Sequence, residues 1–318
     1  MLSKYLVIWL VASSAAAWAW PAFGFGFDPF SASRPWLSAV IAITMFSIGC
    51  LLPVDEVRQV ARRWPTVFGG TAVQYITMPA LAWLIGRCFH LPPNALLGVI
   101  MVGCVPGAMA SNVLTLAARG NVSYSVSLTT SATLLSPLIV PLVMTLTLGA
   151  SLANVARHFH PLQVAWNLML TVVVPVVAGH ALVRFSSMAQ RLANRAAANI
   201  ANLAILWIIA VVVGLNRDRL SHATPSVAAA LLALNVLGYA AGYFGARLLG
   251  LTATMRRALT LEAGMQNAGL GTVLTLQLFP GHETAAIPPA LYTFGCMVTG
   301  TLLAQIWRNW RGEQGVRY

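Results

Sequence analysis

Ten apolar stretches follow one another along this chain, and each is long enough to cross a lipid bilayer. A helix needs roughly 20 apolar residues to span the hydrocarbon core. The stretches do not alternate between apolar and polar residues, so the strands of a membrane barrel are excluded. We therefore predict an all-α polytopic membrane protein with ten transmembrane helices. The predicted spans cover residues 4–20, 36–54, 65–86, 94–118, 121–149, 162–184, 197–215, 225–249, 258–279 and 284–308.

The composition excludes most soluble proteins. Charged residues make up 8% of the chain and hydrophobic residues 58%, whereas a soluble domain carries about 25% charged residues. The net charge of +12 does not indicate a nucleic-acid partner, because the basic residues are scattered between apolar runs instead of forming a stripe. Four cysteines show no metal-ligand spacing, and we expect them to be buried apolar side chains: Cys50, Cys88, Cys104 and Cys296.

The basic residues predict how the chain is oriented. With the amino terminus inside, fourteen of the nineteen Lys and Arg residues fall in inside loops or at the inside ends of spans, and none falls in the interior of a span. This asymmetry places both termini in the cytoplasm. It also indicates that the first apolar stretch is retained as a span; the alternative is that it is a cleaved signal peptide. The inside residues are Lys4, Arg58, Arg62, Arg63, Arg119, Arg184, Arg191, Arg195, Arg247, Arg256, Arg257, Arg308, Arg311 and Arg317, and the outside residues are Arg34, Arg87, Arg157, Arg217 and Arg219.

The ten spans divide into two halves, residues 1–159 and 160–318, with five spans each. Five is an odd number, so the second half must lie inverted in the membrane relative to the first, as in many secondary transporters. Spans 4 and 9 correspond, and small and polar residues interrupt both, over 103–112 and 262–271. Pro106 removes a backbone donor, and backbone freed in this way must line a cavity or hold a ligand. We predict that spans 4 and 9 are discontinuous.

Glu262 is the one acidic residue that falls within a predicted span. A charge at the centre of a membrane helix costs on the order of 3 kcal/mol. Because no Lys or Arg lies in the same zone, its partner must be a proton or a bound cation. The polar residues near it offer hydroxyl and amide oxygens, which are ligands for a hard cation. They are Gln74, Ser111 and Asn112, with a helical stripe of Ser125, Thr129, Thr133 and Ser136.

At these residues the chain resembles the bile acid:sodium symporter family. The motifs that carry the resemblance are Ala110-Ser111-Asn112-Val113, Ala118-Arg119-Gly120-Asn121-Val122, the Ser125…Thr129…Ser136-Pro137 pattern and Glu262-Ala263-Gly264-Met265-Gln266-Asn267. The resemblance implies ten helices in two inverted five-helix repeats, with spans 4 and 9 crossing. Spans 3–5 and 8–10 would form a core domain, and spans 1, 2, 6 and 7 a panel domain. It also implies a multi-pass protein of the bacterial cytoplasmic (inner) membrane.

The resemblance further implies two sodium sites behind the crossing. By matching position, the first would use Ser111, Asn112, Ser125, Thr129 and Glu262. The second would use Gln74, Glu262, Gln266 and the main-chain carbonyls of Ala263 and Met265. Met109 and Cys296-Met297 replace more polar residues of some relatives, which predicts a less polar substrate cavity. We expect the substrate to contact Met109, Ala110, Ser111, Asn267, Ala268, Cys296 and Met297.

The expected function is sodium-coupled symport of a small organic anion by alternating access, with two sodium ions. The anion would be bile-acid-like or a small carboxylate such as pantoate. Half-helices beginning near Ser111 and Asn267 would favour its negative charge. The alternative is a proton-coupled carrier or exporter of the same architecture, with Glu262 as the proton site. Besides the anion and the bilayer we expect no protein or nucleic-acid partner. A membrane enzyme and a channel have less support, because the chain has no HExxH or GxSxG motif and one buried carboxylate.

Overall fold

A computed structural model describes residues 6–53, 55–157, 159–220 and 225–309. Of the residues predicted to face the cytoplasm, Lys4, Arg311 and Arg317 lie outside the described residues. Twelve principal helices are numbered here in chain order: α1 Leu6–Ala19, α2 Leu37–Leu51, α3 Trp64–Cys88, α4 Pro93–Cys104, α5 Ala110–Ala117, α6 Val122–Ser151, α7 Pro161–Phe185, α8 Ser187–Leu215, α9 Pro225–Leu248, α10 Ala253–Gly264, α11 Ala268–Leu278 and α12 Ile287–Asn309. Short helical segments connect them at Trp20–Phe23, Pro29–Ala32, Arg34–Trp36, Glu56–Arg62, Ala153–Ala156, Arg217–Leu220 and Glu283–Ala286.

The chain is a multi-pass, helical membrane protein. By length and composition, six helical segments could each cross a bilayer alone: Arg34–Leu51, Val122–Ser151, Pro161–Phe185, Ser187–Leu215, Pro225–Leu248 and Glu283–Asn309. Shorter apolar helices occur at Ile8–Phe23, Pro93–Cys104 and Ala268–Leu278. The 25-residue helix α3 lies on the third predicted span and carries the buried polar residues Thr71 and Gln74.

Two predictions need correction. Helix α8 begins at Ser187, ten residues before the predicted start at 197. Its first turns carry charged residues, which lower the hydropathy, but Ala193, Ala197 and Ala201 are buried at helical spacing, so packing extends the helix. Cys88 is exposed at the end of α3 and not buried as predicted, because it lies where the helix emerges at a loop. The other three cysteines are buried.

Spans 4 and 9 are interrupted, and the two interruptions are joined by backbone hydrogen bonds. Residues 105–109 separate α4 from α5, and residues 265–267 separate α10 from α11. The N–H of Ala108 donates to the carbonyl of Met265 at 2.7 Å, and the N–H of Asn267 donates to the carbonyl of Pro106 at 2.8 Å. Gly107 and Gln266 pair as an antiparallel bridge between them. Each broken segment therefore gives the other backbone hydrogen bonds that a continuous helix would form within itself.

The remaining helices pack against one another around this crossing. Helix α2 packs against α7 and α8, and α1 packs against α8. Helix α3 packs against α4, α6 and α9, and α9 packs against α10. Glycines allow the closest approaches: a side chain at Gly49 would meet the backbone of Val176, and one at Gly179 would meet the backbone of Phe46. Small residues at such positions are the usual means by which membrane helices pack closely.

An ion pair joins the loop after α1 to the end of α8. Arg217 binds Asp28 through Nη1, and its Nε donates to the carbonyl of Ala17 at 2.7 Å. Asp28 also accepts from the N–H groups of Phe30 and Ser31, so it caps the short helix that follows. The Arg217 guanidinium, with these N–H donors, lowers the pKa of the Asp28 carboxyl to about 2.

We expect Asp28→Asn to lower the free energy of unfolding by about 1 kcal/mol at pH 7, because this partly exposed pair is screened by solvent. The lowered pKa means that the carboxylate stabilises the folded state above its ordinary pKa of 3.8, and that this contribution is lost as the pH falls towards 2. Thermal unfolding of the purified protein in detergent, at several pH values, measures the difference. An equal difference at pH 7 and pH 2.5 would contradict the assignment.

Candidate functional site

Glu262 lies at the crossing and is fully buried. It belongs to the last turn of α10, two residues before that helix ends. The Ser111 hydroxyl, at the start of α5, donates to one oxygen of its carboxylate. The Thr129 hydroxyl, from the first third of α6, lies 2.8 Å from both carboxylate oxygens. One carboxylate therefore touches both the other broken span and the neighbouring continuous helix.

A second layer of oxygens surrounds this contact. Asn112 Oδ1 accepts from the Ser125 hydroxyl at 2.7 Å and lies 3.3 Å from the Thr129 hydroxyl. The structure thus brings together all five residues predicted for a first cation site: Ser111, Asn112, Ser125, Thr129 and Glu262. Thr115, which the sequence reasoning missed, lies 3.2 Å from the Ser125 hydroxyl. Its spacing of four residues from Ser111 puts it on the same helical face, and that signal could have identified it.

The predicted hydroxyl stripe on α6 is only half used. Thr129 contacts the carboxylate and Ser125 contacts Asn112, but Ser136 donates to the carbonyl of Thr133 at 2.7 Å in its own helix. Such back-bonding is the ordinary fate of a hydroxyl in a membrane helix. Helical spacing predicts that these hydroxyls share one face of α6. It does not show which of them lie level with the Glu262 carboxylate.

A further buried polar group lies on the other side of the break. Gln74 Nε2 donates to Gln266 Oε1 at 3.1 Å, and Gln266 Nε2 donates to the carbonyl of Ala263 at 2.7 Å. The carbonyl of Met265 accepts from the N–H of Ala108. The Oε1 of Gln74 is buried and has no hydrogen-bond partner in the described structure. The chain thus holds an unsatisfied amide oxygen beside carbonyl oxygens, where a cation could be coordinated.

Several oxygen acceptors around Glu262 share one hydroxyl proton, although Asn112 Nδ2 is buried there without a hydrogen-bond partner among the described residues. The Thr129 hydroxyl has one proton, yet it faces both carboxylate oxygens, Asn112 Oδ1 and the carbonyl of Ser125. The ion pairs of the described residues, Arg34–Glu283 and Arg217–Asp28, lie elsewhere. A buried carboxylate surrounded by oxygens and remote from these cations can bind a small, hard, positively charged ion.

A cavity of about 460 Å³ opens beside the crossing. Helices α1, α2 and α8 form one wall, and α5, the break at 266–267, the start of α11 and α12 form the other. Six of the residues predicted to contact substrate line it: Met109, Ala110, Asn267, Ala268, Cys296 and Met297. The seventh, Ser111, is not among the described lining residues, and its hydroxyl binds Glu262. Gln266 lines the cavity and also contacts Gln74.

The cavity wall is largely apolar. The hydroxyls of Thr44, Thr293 and Thr301 bind carbonyls of their own helices, and no Lys, Arg, Asp or Glu is found among the described lining residues. Besides Gln266, two amide side chains line the wall. Asn267 caps α11 by accepting from the N–H of Leu270 at 3.1 Å, and Asn202 lies on the opposite wall in α8. The sequence reasoning did not identify Asn202, because one amide in a long apolar helix gives no distinctive signal.

Comparison with known proteins identifies the family. The model of the Sodium Bile acid symporter family matches residues 39–223. This chain belongs to the sodium bile acid symporter family. The chain is similar to a probable sodium/metabolite cotransporter of Arabidopsis thaliana, BASS1, with 32% identity over 86% of this chain and 67% of the relative. It is also similar to the sodium-dependent transporter YocS of Bacillus subtilis, with 30% identity over 94% and 89% of the two chains.

A more distant relative is sodium/bile acid cotransporter 4 of Homo sapiens, with 26% identity over 77% of this chain and 56% of that protein. Membership of the sodium bile acid symporter family confirms the resemblance drawn from the motifs around Ser111 and Glu262. The family consists of membrane transporters that couple transport to sodium, and its relatives are named as cotransporters of metabolites or bile acids.

Gly107 lies directly against Glu262. A side-chain carbon on Gly107 would overlap the Glu262 carboxylate. We expect Gly107→Ala to displace this carboxylate and to lower the melting temperature of the purified protein by several degrees, because the crossing cannot relax without losing its backbone pairs. The control is Gly149→Ala in α6, where an added carbon meets nothing within 4 Å. Equal melting temperatures for the two variants would contradict this account.

Proposed function

We propose that this protein is a symporter that couples the movement of two sodium ions to that of one organic anion. The observation that carries the proposal is the carboxylate of Glu262, which is fully buried at the crossing and contacted by hydroxyl donors from α5 and α6. Such a group needs a compensating positive charge. Sodium, a hard cation, suits oxygen ligands and is the coupling ion named for the relatives.

The first sodium ion would be held by Ser111, Asn112, Ser125, Thr129 and Glu262. The second would be held by Gln74, Gln266, Glu262 and the carbonyls of Ala263 and Met265. The unpartnered, buried Oε1 of Gln74 supports the second site, because a bound cation would satisfy it. Oxygens of this second set now used by protein donors, such as the carbonyl of Ala263, would exchange those donors for the cation.

Charge balance gives a reason for sodium and anion to bind together. The cavity offers an anion no basic side chain among its described lining residues, and Glu262 nearby would repel it. Two sodium ions would cancel the charges of Glu262 and of a monovalent anion. The amino-terminal ends of α5 and α11, at Ala110 and Ala268, would add a partial positive charge. The cycle would carry one net positive charge, so each 100 mV of membrane potential would add about 2.3 kcal/mol to uptake.

The substrate would be a bile-acid-like anion or a small carboxylate such as pantoate. The apolar wall, with Met109, Cys296 and Met297, favours an anion with an apolar body. The names of the relatives, which refer to metabolites and to bile acids, are consistent with either choice. The carboxylate would lie against Ala110, Asn267 and Ala268, next to the sodium sites.

The proposed architecture is a ten-span inverted repeat of residues 1–159 and 160–318. Helices α4 and α10 support it, because each has 12 residues and ends at the interruption of its span. The panel would contain spans 1, 2, 6 and 7, and the core spans 3–5 and 8–10, with the substrate cavity between them. Both termini would be cytoplasmic in a bacterial inner membrane.

Contacts on one side of the cavity indicate which step of the alternating-access cycle this conformation would represent. Arg34 and Glu283 form an ion pair at 3.1 Å, and Gln277 donates to Ser38 at 2.6 Å. These contacts join the start of α2 to the segments around the end of α11, and they lie on the proposed outer face. The cavity instead reaches Leu51 and Thr301, near the proposed cytoplasmic ends of α2 and α12. We therefore propose that this conformation is closed to the outside and faces the cytoplasm.

Uptake of a labelled organic anion into proteoliposomes tests the coupling. We expect uptake to fall at least about tenfold when choline replaces sodium, and to a similar extent in Glu262→Gln, because the buried charge that holds the cations is lost. The control is Thr275→Val, since that hydroxyl binds only the carbonyl of Gly271 in its own helix. Uptake that needs no sodium and follows an imposed proton gradient would support the proton-coupled alternative instead.

Cross-linking tests the proposed outer contact. In the double variant Arg34→Cys/Glu283→Cys, a short cleavable thiol cross-linker should hold the panel to the core, because these residues are in contact here. We expect uptake to fall at least about tenfold after cross-linking and to return after cleavage. Both single variants treated with the same reagent are the controls. Unchanged uptake in the fully cross-linked protein would contradict the proposed closure.

A further inference from the structure

Two side chains from different helices bind the last carbonyl of α10. The carbonyl of Gly264 accepts from Asn235 Nδ2, in α9, at 2.7 Å and from the Tyr292 hydroxyl, in α12, at 2.8 Å. Both side chains are buried, with exposed fractions of 2% and 1%. The last carbonyls of a helix have no partner within the helix, so Asn235 and Tyr292 supply donors where the broken span needs them.

Close packing of α9 brings Asn235 to this carbonyl. Gly238, one turn after Asn235, lies so close that an added side-chain carbon would be 3.2 Å from the Cα of Gly264 and 3.3 Å from the carbonyl oxygen of Ala263. Gly242, one further turn along, would meet the backbone of Leu259. The face of α9 that touches α10 is therefore built from small residues, with one amide at the level of the break.

The orientation of the Asn235 amide is fixed on both sides. The carbonyl of Gly264 can only accept a hydrogen bond, so the NH₂ group of Asn235 must face it. On the other side, the Thr299 hydroxyl of α12 lies 2.6 Å from Asn235 Oδ1. The Tyr239 hydroxyl lies 3.1 Å from Thr299. Supporting contacts of this kind hold a ligand-bearing group in one geometry.

We propose that Asn235 and Tyr292 are positioning residues for the second sodium site. This inference rests on the proposed function. The carbonyls assigned to that site belong to Ala263 and Met265, the two residues that flank Gly264. The Gly264 carbonyl lies in the peptide plane between these two ligand carbonyls. By holding that plane, Asn235 and Tyr292 restrict the backbone torsions on either side of it and so limit how the two ligand carbonyls can turn. They also keep the Gly264 oxygen turned towards α9 and α12.

The effect should be selective for the second cation. Ser111, Asn112, Ser125 and Thr129 of the first site lie on α5 and α6 and are bound to one another and to Glu262. The hydrogen bonds that hold the Gly264 carbonyl come from α9 and α12. A loose Gly264 peptide would therefore leave most ligands of the first site in place, while two of the second site's ligands would be displaced.

Helix α12 also links this role to the cavity. Tyr292 and Thr299 lie on either side of Cys296 and Met297, which line the cavity wall. Weak binding of the second sodium ion should thus reduce anion uptake when sodium is limiting. Saturating sodium should restore it, because the cavity wall itself is intact.

The experiment compares sodium dependence in wild type, Asn235→Leu and Tyr292→Phe. Equilibrium binding of ²²Na⁺ to the purified protein and anion uptake into proteoliposomes are both measured against sodium concentration. We expect the half-saturating sodium concentration to rise about tenfold in Asn235→Leu and somewhat less in Tyr292→Phe, which keeps its ring. The Hill coefficient should fall from about two towards one, and the maximal rate at saturating sodium should stay within about twofold of wild type.

The control is Thr260→Val, since Thr260 is buried in α10 but its hydroxyl binds the carbonyl of Arg256 in the same helix. Wild-type sodium curves in both test variants would overturn the proposal. So would a loss of both sodium ions in Asn235→Leu, with a lowered melting temperature and a normal Tyr292→Phe, because Asn235 would then be merely structural. If the wild type itself bound no sodium, the proposed function would fail, and this inference with it.

Discussion

The burial of one carboxylate is the constraint on which the rest of this structure depends. Glu262 is fully removed from solvent at the level where spans 4 and 9 are interrupted, and a charge in that position costs several kcal/mol unless it is compensated. The interruptions bring hydroxyl, amide and carbonyl oxygens to the carboxylate that a continuous apolar helix could not supply. At the crossing, the backbone groups that the breaks leave without helical partners are hydrogen-bonded because one break pairs with the other.

Polar and apolar chemistry are separated on the two sides of the crossing. Behind it, towards α3 and α6, the described residues place amides, hydroxyls and a carboxylate in contact with one another. In front of it, the cavity has an apolar wall in which threonine hydroxyls bind their own helices. The breaks are the boundary between the two, and Gln266 reaches both. In the proposed cycle, an ion behind the crossing and an anion in the cavity would therefore influence each other through the breaks without sharing one site.

The sequence predicted the features that depend on composition and local spacing. Glu262 stood out because acids are rare in apolar spans, and the breaks stood out because Pro106 and the nearby glycines cannot continue a helix. Asn235 and Tyr292 could not be assigned in this way, since their partner is a backbone carbonyl 28 or more residues away in sequence. The start of α8 was misplaced for a related reason: burial of its alanines depends on neighbouring helices that hydropathy alone does not describe.

The antiparallel pairing of the breaks bears on how such a chain could have arisen. Ala108 donates to Met265 and Asn267 donates to Pro106, so exchanging the two segments leaves the pattern unchanged. Two identical copies of a five-helix protein, inserted into the membrane in opposite directions, could form the same crossing. Gene fusion would then free each copy to diverge. In the register of this pairing, with Gly107 opposite Gln266, the position that corresponds to Glu262 is occupied by Gly103. The backbone pattern is therefore symmetric, but the acid is present on one side of the crossing only.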